Sequence, residues 1–149
     1  GRCDELIVQK AYYQIYGKLP LDDGIDIITV GGLVFKRFME IAKKLNKQIS
    51  VVTDNDGDYT GTIERYRDYA RLENIKLCVD GDNTYPTLEP QLVKANGLVA
   101  MNTLLDKNFA TEEELIAFMI NNKADCALRI FEKGEGVKIP PYILHAIQQ

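Results

Sequence analysis

Ile49-Ser50-Val51-Val52-Thr53 runs directly into Asp54-Asn55-Asp56-Gly57-Asp58. β-Branched side chains at four of the first five positions favour extended backbone and fit a pleated, buried surface. The polar run that follows stops the strand, because Asp, Asn and Gly favour turns. In α/β sheets, ligand sites form beyond the carboxyl ends of strands, where these acids stand. Three carboxylates crowded into five residues repel one another unless a cation sits among them, and hard oxygen donors suit Mg²⁺ or Mn²⁺. A plain solvated turn has the same composition. The position after an apolar strand favours the metal.

Outward from this stretch, helical and strand-like patterns alternate. Ile7, Ala11 and Ile15 recur every fourth residue within Asp4 to Tyr16, an amphipathic helix that Gly17 ends. Ile25 to Val30 reads as a buried strand before Gly31-Gly32. Phe35, Phe38, Met39, Ala42 and Leu45 predict a helix, Ile63 to Leu72 a polar one, and Ile75 to Val79 a third strand. Such alternation implies right-handed crossovers and a mainly parallel sheet with helices on both faces, an α/β fold. Beyond about residue 87 the chain becomes helical: Leu88, Leu92 and Val93, then Leu98, Met101 and Leu105, divided near Asn96-Gly97. Thr111 and Glu114 predict a capping box. Lys123 to Glu132 reads as helix, and Pro140-Pro141 opens a last one. One domain of 149 residues is expected, a core over about 1–86 with a helical appendage over about 87–149.

Composition narrows the chemistry. With 46 % hydrophobic residues the chain can fill one core. Acids outnumber bases by 22 to 18, for a net charge of −4 and a pI near 5.1, so overall charge does not draw it to nucleic acid. If DNA is the substrate, bound cations must offset the carboxylates. Cys3, Cys78 and Cys126 form no C-x-x-C pair, which points to a reducing compartment and idle thiols. No apolar run approaches the roughly 20 residues of a membrane span, and no signal peptide opens the chain, so the expected location is cytoplasmic. Gly1 reads as the interior of a longer protein.

Two other uses of the acidic loop can be weighed. An EF-hand places glycine at loop position 6 and Glu at 12; counted from Asp54, glycine falls at 4 and Arg65 at 12, so that reading fails. A phosphatase of the haloacid dehalogenase type also carries D-x-D-G after a strand. Its usual Thr or Ser after the glycine is Asp58 here, and the motif lies beyond two helices, which leaves it a runner-up.

An opening Gly1-Arg2-Cys3-Asp4-Glu5, followed by helix, strand, helix and strand-D-x-D, resembles a toprim domain, in which a first strand ends in Glu-Gly and a later one in D-x-D. Thr87-Leu88-Glu89-Pro90-Gln91-Leu92, Asn122-Lys123-Ala124-Asp125 and Pro141-Tyr142-Ile143 resemble segments of the OLD (overcoming lysogenization defect) nucleases. The resemblance implies a toprim-like Rossmannoid fold whose first strand, with its glutamate, lies upstream of Gly1. It further implies a Mg²⁺- or Mn²⁺-dependent DNA endonuclease or nickase with two metals, joined to an ABC-type ATPase and acting in phage defence. Asp4, Asp54, Asp56 and Glu89 are the implied metal ligands, with Glu5, Asp58 and Thr87 as further candidates. Lys123, with Asp54 and Asp56, is implied to be catalytic. Ca²⁺ is expected to bind without supporting cleavage, and an exposed sheet edge to favour a homodimer.

Bland alternatives stand beside each residue. Asp4 and Glu89 suit the first turn of a helix by charge alone, and Lys123 a solvated helix end. His145 is the one histidine and receives no role. Tyr12, Tyr13, Tyr16, Tyr59, Tyr66 and Tyr69 sit at helical spacing, which favours packing over base stacking. A non-catalytic metal- or nucleic-acid-binding module is the rival of a different class.

Overall fold

The computed structural model describes residues 1–148. Two strands, β1 (Ile49–Val52) and β2 (Ile75–Cys78), pair in parallel with Ile49 opposite Ile75 and Val52 opposite Cys78. The helices are α1 (Arg2–Tyr16), α2 (Phe35–Leu45), α3 (Tyr59–Ala70), α4 (Leu88–Asn96), α5 (Leu98–Leu105), α6 (Glu112–Asn121), α7 (Lys123–Lys133) and α8 (Pro141–Ile147). They group into two compact units, each built from separate parts of the chain: Gly1–Thr29 with Leu88–Pro140, and Val30–Thr87 with the chain from Pro141 onward.

The second of these is the α/β unit. Side chains alternate across a strand, so Ile49, Val51, Ile75 and Leu77 share one face, where they pack with Met39 and Ala42 of α2 and Tyr66 of α3. Lys76 and Cys78 belong to the other face and meet α8: Lys76 Nζ donates to the His145 and Gln148 carbonyls, both at 2.9 Å, and Cys78 Sγ lies 3.6 Å from His145 Nδ1. Both faces are covered, as parallel pairing requires. Asn74, buried, donates through Nδ2 to the carbonyls of Ala42 (3.0 Å) and Lys47 (2.7 Å) and so fixes the passage from α2 to β1.

The first unit is helical. α1 packs against α7. Lys10 Nζ reaches the Phe131 carbonyl (3.0 Å), and Gln14 Nε2 reaches those of Gly134 (3.3 Å) and Val137 (3.2 Å). The first satisfies a carbonyl in the last turn of α7, and the others hold the chain that follows the helix. Asp23 anchors the 3-10 turn Pro20–Asp23 by a 2.6 Å pair with Lys18 and by accepting from Tyr12, and the two contacts hold its carboxyl below the usual range. Gly17, at φ 71°, supplies the left-handed residue that ends α1.

Three expectations need correction. Ile25 to Val30 forms no strand, and Ile28 is 60 % exposed; a β-branched run prefers extended backbone, but a strand also needs a partner ladder. The sheet among the described residues is therefore a two-stranded one rather than a larger parallel sheet. α2 forms over Phe35–Leu45 as its pattern predicts, with Met39 and Ala42 buried and Phe38 and Leu45 exposed. At α6, Thr111 Oγ1 accepts from Glu114 N (3.2 Å) as expected. Glu114 reaches back to the Ala110 N–H (3.2 Å). That is one residue further than a capping box would take it.

Candidate functional site

The loop after β1 is organised by the residue between its first two acids. Asn55 is 2 % exposed, donates through Nδ2 to the carbonyls of Asp80 (2.9 Å) and Asp82 (3.0 Å), and accepts from Gly57 N through Oδ1 (2.8 Å). Asp56 adopts φ 51° and Gly57 φ 83°, two successive left-handed residues that turn the chain sharply. Asp56 N donates to the Pro86 carbonyl at 3.0 Å, which leaves its carboxylate at an exposed position on a fixed backbone. Asp54 is half-buried at the strand end.

Asp58, a further ligand candidate, has a structural role here. Its Oδ1 accepts from Gly61 N (3.0 Å) and caps α3, satisfying an N–H that the helix leaves open. Thr87 is half-buried just ahead of α4.

Sequence reasoning passed over two features of this unit. Asn55 itself is one. The other is Asp80-Gly81-Asp82-Asn83-Thr84, a second acidic loop at the end of β2, whose carboxylates accept from the loop's own N–H groups: Asp82 N to Asp80 (2.8 Å) and Thr84 N to Asp82 (3.0 Å). The available signal was the same as for residues 54–58, an apolar strand followed by D-x-D. Parallel pairing places both loops at one end of the sheet.

The remaining predicted residues lie in the helical unit. Glu89, in the first turn of α4, is 7 % exposed, and its Oε1 lies 3.6 Å from Lys123 Nζ at the start of α7. Two residues singled out for separate roles are thus brought together. Asp4 occupies the first turn of α1 and pairs with the Gly1 amino group, while Glu5 accepts from Gln9 (3.2 Å) and from Thr29 Oγ1 (3.2 Å). Of the tyrosines, Tyr66 is core: it stacks edge-on with Phe35 and donates to the Gly32 carbonyl at 3.2 Å. Tyr13 is 53 % exposed.

Within neither unit, among the described residues, do three or more His, Cys, Asp or Glu side chains gather as a metal-holding group. The donor set is nevertheless consistent with hard cations, since every candidate ligand offers oxygen and Asp54 and Asp56 flank a rigid turn.

Residues 1–56 match the family described as Overcoming lysogenization defect protein-like, TOPRIM domain. This stretch is similar to an OLD-like toprim domain. The match ends on Asp56, so it takes in α1, β1 and the first two acids of the loop, while Asp58, Thr87, Glu89 and Lys123 lie beyond it. The toprim assignment carries a metal-binding function of the nucleotidyl-transfer or nuclease type and implies a nucleic-acid substrate. Neither the curated proteins nor the solved structures give a significant match to the chain. No helix among the described residues is long and apolar enough to cross a membrane.

Proposed function

We propose that this chain is the catalytic domain of a cytoplasmic, Mg²⁺- or Mn²⁺-dependent DNA endonuclease of the OLD type, joined in its parent protein to an ABC-type ATPase and serving phage defence. The observation that carries the reading is β1 ending in Asp54-Asn55-Asp56, inside the toprim match and on a turn that Asn55 fixes. Residues 1–149 act as one functional domain. Asp54 and Asp56 would be cation ligands in the α/β unit and Asp4 and Glu89 in the helical unit, with Glu5, Asp58 and Thr87 as further candidates. A bound cation would supply Lewis-acid activation of water and offset charge at the phosphodiester. Asp54 and Asp56 would hold it from a preorganised loop, and Lys123 would offer an ammonium to the charge that grows on the scissile phosphate.

The direct test is nicking or linearisation of plasmid DNA in Mg²⁺ and Mn²⁺. DNA retention without cleavage would favour the binding module; hydrolysis of a phosphomonoester with a trapped aspartyl-phosphate would favour the phosphatase. An ion that binds only the folded protein stabilises it by about 2.7 kcal/mol at a hundred times its Kd. Millimolar Mg²⁺ or Ca²⁺ is therefore expected to raise Tm by roughly 5–10 °C for a chain of this size, with Ca²⁺ giving the shift and no cleavage. A flat melting temperature across millimolar metal counts against a formed site.

Lys123 has two expected effects that can be separated. Lys123→Met lowers cleavage at least tenfold, about 1.4 kcal/mol in barrier. Its effect on Tm is expected to be small, because the lysine is half exposed and its 3.6 Å pair with Glu89 is screened by solvent. Full cleavage by Lys123→Met would remove the lysine from the mechanism.

A further inference from the structure

Cys3 and Cys126 stand at corresponding levels of α1 and α7. The polar links between these helices join Lys10 to Phe131 and Gln14 to Gly134 and Val137, at offsets of 120 to 123 residues, and the partners advance together, so the two helices run in the same direction. The same offset sets Cys3 level with residues 123–126. One cavity of about 10 Å³ is lined by Cys3 and Cys126 together with Ile7, Glu89 and Lys123. That volume is at the lower limit for a single water. Cys78 belongs to the other unit, where burial pushes its thiol up to about 11.

We propose that Cys3 and Cys126 are a reversible disulfide pair that pins α1 to α7 beside the Glu89–Lys123 contact. Cys3, the more exposed, meets a peroxide oxidant first. Its thiolate attacks the O–O bond, taking one oxygen as sulfenic acid and expelling hydroxide. The Cys126 sulfur then attacks the Cys3 sulfur, forming the S–S bond as the sulfenic oxygen leaves as water with the Cys126 proton. Two thiols are oxidised and one hydrogen peroxide is reduced to two waters. Cys126 is buried and shielded from the oxidant, so it enters at the second step. A thiol reductant returns both cysteines.

The test treats the full chain with stoichiometric hydrogen peroxide and maps its peptides without reduction. Expected are loss of two of the three free thiols, a Cys3–Cys126 linked peptide within single molecules, and a higher Tm that dithiothreitol reverses. Cys78→Ser behaves as the unaltered chain, and Cys3→Ser yields no linked peptide. Cys126→Ser, or Cys126→Ala should serine disturb the core, leaves a Cys3 sulfenic acid that dimedone captures. Linkage between copies, linkage to Cys78, or Cys3 oxidised to sulfinic acid while Cys126 stays free in the unaltered chain would overturn the pairing. None of these outcomes depends on nuclease activity.

Discussion

Asp54→Ala is expected to lower metal-dependent plasmid cleavage by at least two orders of magnitude, about 2.7 kcal/mol in barrier, and to abolish the stabilisation by Mg²⁺ or Ca²⁺. The carboxylate stands at the end of β1, within the toprim match, beside a turn whose backbone Asn55, Asp56 N and Asp58 N hold through their own hydrogen bonds. Asp56→Asn supplies the companion measurement. Asparagine tolerates a left-handed conformation. The change therefore removes the charge and keeps the positive φ of this position, whereas Asp56→Ala would alter both. Plasmid assays at matched protein concentration, run beside melting curves with and without metal, read both effects. Cleavage that survives Asp54→Ala would remove Asp54 from the metal site and from the mechanism.

Asn55→Ala is expected to cost about 2–4 kcal/mol, the range for breaking a buried hydrogen-bond network. The loss leaves the carbonyls of Asp80 and Asp82 and the Gly57 N–H without the partners they have now. For a chain of this size that corresponds to a fall in Tm of roughly 5–15 °C. Asn55→Asp, of nearly the same shape, should do no better, because it sets a carboxylate against two carbonyl oxygens and cannot donate to them. Chemical or thermal denaturation measures both variants. If Asn55→Asp melted like the unaltered chain, the network would not be what holds the two acidic loops together.

How far the sequence was legible depends on whether the information was local. α1, α6 and the break at Asn96-Gly97 carried their own periodicity, caps and glycine, and they form where expected. β1 and β2 were visible as short β-branched or apolar runs bounded by turn residues. Ile25 to Val30 carried the same local signal and forms no ladder, because pairing depends on a partner that composition does not disclose. The acidic loop was visible, and its support was not: Asn55 reads as one more turn residue until its contacts with Asp80 and Asp82, 25 and 27 positions away, are seen. The Glu89–Lys123 contact joins residues chosen by resemblance alone. Nothing in the spacing of α4 and α7 announced it.

The pairing of α1 with α7 has a consequence for the order in which the molecule can be made. Lys10 and Gln14 find their carbonyl partners some 120 residues later in the chain. At about 5–20 residues per second, a ribosome needs roughly 6–25 s to deliver them. Throughout that interval the apolar stripe of α1, with Ile7 and Ala11 later fully buried, has none of its α7 contacts. The intervening stretch from Val30 to Thr87 contains β1, α3 and β2 in immediate succession and can begin to fold as soon as it emerges. Newborn chains should therefore expose α1 to chaperones and proteases until α7 appears, and a ribosome-bound chain stalled before residue 123 should be cleaved within α1 far faster than one stalled well beyond residue 133.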